Sequence, residues 1–210
     1  MTNDTFHDID ALVLRVTPYG NTSAYLLCLS KTHGKIMLRA RGALRRGSTL
    51  IAYAQPLVYA QFSVFDYRGK FTINDAEAHS FFMPMRNELA KLETAAYIAE
   101  IADKLSDTDA QDEQLLDLCL HSLQRLCESR YTAEHIRAVF TWRAAVIGGY
   151  GFDFDTPAGL GLNNLPHLTI AGLQAVQHAQ TAPPERLFAF AVEDDGWHQT
   201  GEDYLRWYIG

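Results

Sequence analysis

The sequence predicts an α+β protein in which a small barrel of five strands precedes a bundle of helices. Up to about residue 80, apolar residues recur with the period of two that is typical of strands, and turn sequences separate the runs. Between residues 89 and 147 they recur at the spacing of three and four that is typical of helices. The 210 residues are enough for one large domain or two small ones. We expect a barrel domain over residues 1–80 and a helical domain over residues 81–210.

Five strands are expected in the first part of the chain. They cover residues 11–17, 24–30, 35–41, 56–67 and 71–77. Residues 31–34 and 66–69 have the composition of tight hairpin turns, whereas a longer link joins the third strand to the fourth. Strands joined mainly by short hairpins favour a closed or partly open barrel over an open sheet.

Three helices are expected next, over residues 89–105, about 115–126 and about 132–147. A polar acidic loop separates the first two, and a pair of glycines ends the third. Connections of this length favour packing of the three helices as a bundle.

The periodicity weakens after residue 151. Residues 151–166 have the composition of a loop, and Thr169 is a candidate cap for a short helix that runs to residue 177. Thr200 with Asp203 resembles a capping box, which predicts a last helix over residues 204–209.

The third predicted strand carries most of the positive charge of the barrel. Its alternation places Ile36, Leu38 and Ala40 on one face and Lys35, Met37, Arg39 and Arg41 on the other. A glycine ends the strand, and Arg45 and Arg46 follow it. One face of this strand is therefore expected in the core, and the other is expected to be cationic.

Charge is distributed unevenly between the two parts of the chain. The formal net charge is −7, but residues 1–80 hold nine Lys and Arg against six Asp and Glu, which gives +3. Residues 81–210 hold nine against nineteen, which gives −10. A mildly basic part beside an acidic one is typical of a binding module carried by a separate scaffold, because a ligand responds to the local field.

Two interpretations of the cationic face are open. It can be the solvated outer face of a barrel, or it can be a surface that binds single-stranded nucleic acid. Tyr59, Phe65 and Tyr67 alternate along the fourth strand and are candidates for base stacking beside the cations. Cations for phosphates and flat rings for bases are the combination that single-strand binding needs.

The sequence lacks the usual motifs of catalysis and metal binding. It has no phosphate loop, dinucleotide fingerprint, nucleophile elbow or His-Glu-x-x-His string, and its eight histidines do not have metal-ligand spacing. Asp153 and Asp155 alternate with Phe152 and Phe154, a pattern more typical of a loop with buried rings than of paired catalytic carboxylates. We therefore expect no catalytic residues, no metal and no cofactor.

Nothing in the sequence predicts secretion or membrane insertion. Residues 1–4 are polar and acidic, and no run approaches the roughly 18 to 20 apolar residues of a membrane span. The three cysteines, Cys28, Cys119 and Cys127, do not form a disulfide framework. We expect a cytoplasmic protein with reduced thiols.

The order and spacing of several short segments resemble the bacterial RecO family of recombination mediators. These segments are Ala11-Leu12-Val13-Leu14-Arg15 before Tyr19-Gly20, then Gly34-Lys35, the run from Ala40 to Arg46 with Ser48, Gln55-Pro56, Tyr97-Ile98-Ala99-Glu100, and Gly149-Tyr150. The resemblance covers roughly residues 8–150, and it continues more faintly through residues 204–208.

The resemblance implies that the barrel is an OB fold and that the protein is a non-enzymatic DNA-repair factor. It implies binding of single- and double-stranded DNA, strand annealing, and recombinase loading together with RecR and the carboxyl-terminal tail of the single-strand-binding protein. Association with the nucleoid would follow. The residues that it implies for DNA binding are Arg15, Lys35, Arg39, Arg41, Arg45 and Arg46.

The sequence departs from the family pattern in two places. Many members carry a four-cysteine zinc site soon after the glycine-tyrosine step, but no cysteine follows Cys127 here. We therefore expect a degenerate, zinc-free version of that region at about residues 151–166. The carboxyl-terminal part is also shorter than is usual for the family, which affects partner contacts expected there. The competing prediction is a protein-interaction module that has lost DNA binding and docks a partner's acidic or amphipathic tail on the bundle.

Overall fold

A computed structural model describes residues 5–108, 112–128, 130–154, 168–192 and 196–210. Its first part is a closed barrel of five strands. The strands are β1 (Thr5–Tyr19), β2 (Ser23–Ser30), β3 (Gly34–Ala40), β4 (Tyr59–Tyr67) and β5 (Lys70–Ser80). Their order around the barrel is β1-β2-β3-β5-β4, with β3 parallel to β5 and the other neighbours antiparallel. The predicted barrel is confirmed, and it is consistent with an OB fold.

The first strand is much longer than the sequence predicts. Its first half pairs with β4 and its second half pairs with β2, so the strand bends around the barrel. The register shifts between Val13 and Arg15, which leaves Leu14 as the extra residue of a bulge. Among residues 6–10 only Ile9 is buried, and so the sequence gives little strand signal there.

Two hydrophobic cores support the fold. One fills the barrel and includes Leu26, Leu38 and Phe62. The other lies among the helices, and it also receives Leu12 and Leu29 from the outer face of the barrel. Part of the outer face of the barrel is therefore buried against the bundle.

Five helices follow the barrel. They are α1 (Leu89–Leu105), α2 (Glu113–Cys127), α3 (Ala133–Ile147), α4 (Ile170–Thr181) and α5 (Gly196–Ile209), and a 3-10 turn at Met83–Asn87 links the barrel to α1. Helix α3 lies at the centre and packs against the other four. Its Trp142 is fully buried, and the indole Nε1 donates to the Trp197 carbonyl at 3.2 Å. The predicted helical bundle is confirmed.

Threonine side chains cap both α3 and α4, and the cap at Thr169 is the one that the sequence predicts. Thr132 accepts a hydrogen bond from the His135 backbone N–H at 3.2 Å, and Thr169 accepts one from the Gly172 N–H at 3.1 Å. Helix α4 then continues to Thr181, four residues beyond the predicted end.

The predicted start of the last helix is wrong. Helix α5 begins at Gly196, so Thr200 lies inside it and its hydroxyl donates to the Gly196 carbonyl at 2.7 Å. Trp197, in the first turn, is fully buried. Burial of this large ring stabilises the additional turns, and a threonine in a helix interior commonly bonds to the carbonyl four residues before it.

Most of the predicted zinc-free region at 151–166 lies outside the described residues, which stop at Phe154 on that side. The rings of Phe152 and Phe154 pack edge to face at 4.8 Å, and Phe152 also contacts the helical core. Within the described ranges, no group of three or more His, Cys, Asp or Glu could hold a metal ion. None of the helices described is long and apolar enough to cross a membrane.

Candidate nucleic-acid interface

The outer face of β3 has the alternation that its sequence predicts. Ile36, Leu38 and Ala40 are buried inside the barrel, whereas Met37 is 49% exposed. Arg39 is half-buried on the same outer face as Met37. In β2, Tyr25 is the cross-strand partner of Arg39. This pairing places Tyr25 next to Arg39 on the outer face of the barrel.

A groove of about 500 Å³ runs between this face and the β4–β5 turn. The parallel pairing of β3 with β5 forms it, because Leu38 pairs with Phe71 and Arg39 pairs with Thr72. Its lining consists of Tyr25, Met37, Arg39, Arg41, Phe65, Tyr67, Gly69, Lys70, Phe71 and Thr72. That set contains three cations and four aromatic rings, and its described members include no carboxylate. In OB folds the face of strands 2 and 3 with the loops β1–β2 and β4–β5 is the surface that binds oligonucleotides.

Arg39 is held at the groove by aromatic rings. Its guanidinium carbon lies 5.4 Å from the centre of the Tyr19 ring, and Tyr19 packs on Tyr25 with ring centres 5.1 Å apart. No carboxylate among the described residues forms an ion pair with Arg39, and its Nε is buried with no hydrogen-bond partner there. The Tyr19 ring therefore orients the guanidinium, while no described carboxylate neutralises its positive charge.

The β4–β5 turn forms the second wall of the groove. Arg68 and Gly69 have φ angles of 55° and 75°, as expected for the central residues of a two-residue hairpin turn. The Asp66 carboxylate accepts a hydrogen bond from the Gly69 backbone N–H at 2.8 Å, which stabilises that turn. Tyr67 and Lys70 flank the turn, so their side chains are carried at the rim of the groove.

Four acidic residues of the barrel do not line the groove and lie together elsewhere on its outer surface, whereas Asp66 belongs to the β4–β5 turn. Asp8 and Asp75 both pair with Ser63, and Asp10 and Glu77 both pair with Gln61, so these four carboxylates share the outer face of β1, β4 and β5. Residues 1–80 carry a net charge of +3, but this charge is unevenly distributed. The outer face formed by β1, β4 and β5 is acidic, whereas the groove is cationic. A polyanion experiences the groove as a positive site because interactions with exposed charges are local.

The structure brings four of the predicted site residues together in the groove. These are Arg39 and Arg41 from β3 and its end, and Phe65 and Tyr67 from β4. Arg45 and Arg46 are exposed on the link between β3 and β4 and do not line the groove.

Two other predicted cations are paired with the bundle. Lys35 Nζ lies 2.6 Å from the Asp103 carbonyl oxygen and 3.2 Å from its carboxylate, and Arg15 lies 3.4 Å from the same carboxylate. Asp103 belongs to the last turn of α1. The six predicted cations therefore do not form one continuous ridge, because one carboxylate of the helical part occupies two of them.

Tyr59 is far from the groove although it shares a strand face with Phe65. Six residues at about 3.3 Å each separate the two by roughly 20 Å. Tyr59 packs against the helical core, and its ring centre lies 4.8 Å from that of His79. Burial, together with Asp10 and Asp117, raises the pKa of its hydroxyl. The Tyr59 ring therefore contributes to the contact between barrel and bundle.

Sequence reasoning missed Tyr25, Lys70 and Phe71, which line the groove, and Tyr19, which packs against the Arg39 guanidinium. A local signal existed for Lys70 and Phe71, because they follow the predicted turn at 66–69 and a hairpin returns its second strand beside the first. Tyr25 could have been found from its cross-strand position opposite Arg39, once the hairpin at 31–34 fixed the register.

This architecture defines the class of protein: an OB-type barrel with a cationic and aromatic groove, followed by a helical bundle. Comparison with known families agrees. The family model described as recombination protein O N terminal matches residues 4–82, and the model described as recombination protein O C terminal matches residues 86–183. The chain belongs to the RecO family.

Curated relatives carry the name DNA repair protein RecO. The protein of Alkaliphilus metalliredigens is 30% identical over 131 residues, which cover 62% of this chain and 53% of that protein. The proteins of Bacillus pumilus and Bacillus subtilis are 34% and 33% identical over 119 residues, which cover 57% of this chain and 46% and 47% of theirs. The chain spans about half the length of these relatives.

Proposed function

We propose that this protein is a non-enzymatic DNA-repair factor that binds single-stranded DNA in the groove and promotes its annealing to a complementary strand. One observation carries the proposal: Arg39 and Arg41 lie among aromatic rings in a groove whose described lining contains no carboxylate. Phosphates need cations, unstacked bases need flat apolar surfaces, and this groove offers both within one site.

The cations determine how strongly binding depends on salt. Arg39, Arg41 and Lys70 line the groove, and Arg45 and Arg46 are exposed on the following link. Three to five phosphate contacts on a single strand give a slope of log K against log salt of roughly −2 to −3.5. This range is lower than six cations would give, because Arg15 and Lys35 are paired with Asp103.

The same charges explain how annealing would be promoted. Two strands repel each other through their phosphates, and a surface that neutralises both lowers that repulsion while leaving base edges able to pair. The groove takes one strand, and the arginines of the β3–β4 link contact a second strand or a duplex through phosphates alone. Recombinase loading together with RecR and the single-strand-binding protein follows from the family, as does a cytoplasmic, nucleoid-associated location.

Fluorescence anisotropy with a labelled thirty-residue oligo-dT, at 0.05 to 0.3 M salt, tests the binding step. A linear log-log plot with a slope of roughly −2 to −3.5 is expected. The annealing step is tested by mixing complementary donor- and acceptor-labelled oligonucleotides with the protein at low salt. A flat salt response, or annealing no faster than without protein, would contradict the proposal.

A second candidate function is a protein-interaction module on the bundle. A cavity of about 350 Å³ lies between α2, α3 and the turn at Pro184–Arg186, and apolar side chains such as Leu118, Val146 and Leu187 line it together with Arg143. The apolar side chains of an amphipathic tail, such as the carboxyl-terminal tail of the single-strand-binding protein, suit this cavity. A carboxylate on that tail would meet Arg143, which also donates to the Ala179 and Ala182 carbonyls, with Asp117 in the same lining. Binding of that labelled peptide without any binding of oligo-dT would favour the second function over the first.

A further inference from the structure

Asp103 is placed where a carboxylate is unfavourable for its own helix. It lies in the last turn of α1, next to the negative end of the helix dipole. Lys35 compensates for this position: its ammonium donates to the Asp103 carbonyl at 2.6 Å and to the carboxylate at 3.2 Å. The backbone N–H of Lys35 also donates to the Asp107 carbonyl at 3.1 Å. Lys35 therefore attaches the barrel to the end of α1.

Arg15 is bound to the same carboxylate in a different way. Its side chain is 64% exposed, and its guanidinium lies 3.4 Å from the Asp103 carboxylate. Exposed ion pairs of this kind are weak, because water screens the two charges and the side chains lose freedom when they pair. Lys35, with 24% of its side chain exposed and Asp112 also nearby, is held more firmly than Arg15.

Arg15 lies on the same outer face as the groove. It pairs with Leu27 of β2, and Leu27 pairs with Met37 of β3, so the three residues form one row across the sheet. Two strand spacings of about 4.8 Å place the backbone of Arg15 roughly 10 Å from that of Met37, which lines the groove. A strand that leaves the groove over Met37 therefore comes within reach of the arginine.

On these grounds we propose that Asp103 is an internal counterion that limits the affinity of this face for DNA by occupying Arg15. The inference rests on the proposed function. A phosphate that contacts Arg15 in the native protein breaks the ion pair between Arg15 and Asp103 and leaves the carboxylate with Lys35 alone. The loss of this ion pair offsets part of the counterion release that normally favours binding. When the Asp103 carboxylate is removed by substitution, Arg15 becomes free to make one additional phosphate contact. Lys35 keeps its hydrogen bond to the backbone carbonyl of residue 103, because the substitution does not change that group.

The test is a cycle of Asp103→Asn, Arg15→Gln and the double variant, measured with oligo-dT against salt. In Asp103→Asn, one additional phosphate contact is expected to steepen the slope of log K against log salt by about 0.7 and to raise the affinity for oligo-dT about fivefold at 0.1 M salt. Arg15→Gln alone is expected to change the affinity less than twofold, but in the Asp103→Asn background it is expected to remove the whole gain. Arg15 is exposed, and so this second comparison holds even where Asp103→Asn lowers stability.

The control is Asp75→Asn, which changes the net charge equally on the acidic face of the barrel. An Asp103→Asn protein whose slope and affinity match those of Asp75→Asn would overturn the inference, as would a gain that survives Arg15→Gln. The same experiment tests the proposed function independently. A flat salt response of the native protein would contradict DNA binding itself. A steep slope of the native protein that Asp103→Asn does not change would contradict only the role of Asp103 as a counterion.

Discussion

Replacement of Arg39 and Arg41 by glutamine is expected to remove two phosphate contacts and leave the fold intact. Both residues line the groove, and within the described ranges neither is paired with a carboxylate. Each contact on single-stranded DNA contributes about 0.7 to the slope of log K against log salt, so the double variant loses about 1.4. At 0.1 M salt this corresponds to an affinity about 25-fold lower, and at 0.3 M to one about fivefold lower.

The assay is oligo-dT anisotropy over that salt range, with an oligo-dA probe as a second sequence. Phosphate contacts carry no base information, so both probes lose affinity equally. The matched control is Lys31→Gln with Lys104→Gln, which removes two cations paired with Glu113 and Glu100 away from the groove. An equal loss in the control would show that net charge matters and the groove does not. Unfolding of the Arg39 and Arg41 variant would instead assign the two arginines a structural role.

Three further predictions concern the rings, the centre of the bundle and pH. Tyr67→Ala is expected to weaken oligo-dT binding, measured by anisotropy, by about 1 to 3 kcal/mol because base stacking is lost. Tyr59→Ala is expected to leave oligo-dT binding unchanged but to lower the melting temperature in thermal denaturation. Gly201→Ala places a methyl group 2.8 Å from Trp142 Nε1, and we expect about 1 to 3 kcal/mol less stability in urea unfolding. Burial lowers the pKa of His135 below its ordinary value of 6.5. The imidazole therefore takes up a proton more readily in the unfolded chain than in the folded one. As a result, the free energy of unfolding is expected to fall as pH drops through about 6.5.

Each of these has its own control. Loss of DNA binding in Tyr59→Ala without loss of stability would contradict the assignment of its ring to the contact between barrel and bundle. Gln199→Ala, an exposed change on the same helix as Gly201, is expected to leave urea unfolding nearly unchanged. His135→Gln is expected to reduce the loss of stability between pH 7.5 and 5.5, and an unaltered pH dependence in that variant would count against a role for His135.

The strands and their inward faces could be predicted because their signal is local. The alternation of Ile36, Met37 and Leu38 in the sequence directly gives their burial, since neighbouring residues of a strand point to opposite faces. The cap at Thr169 is equally local, and its prediction is confirmed. The start of α5 could not be predicted, because it depends on packing that is remote in sequence.

The composition of the site was only partly predictable for the same reason. Nothing near Lys35 in the sequence indicates that a carboxylate 68 positions later, Asp103, occupies it. Strand alternation places Tyr59 and Phe65 on one face, but it carries no information on which end of the strand meets the bundle. The wall that Phe71 provides depends on the parallel pairing of β3 with β5, which the sequence pattern does not specify.

Photocrosslinking tests the central claim most directly, because it reports where a bound base lies. A single-stranded oligonucleotide that carries 5-iodo-deoxyuridine is bound at low salt, irradiated and digested, and the adducts are located by mass spectrometry. We expect adducts on Tyr25, Phe65, Tyr67 or Phe71, the rings that line the groove. Adducts confined to the helices, with none on these four rings, would contradict the assignment of the groove as the DNA site.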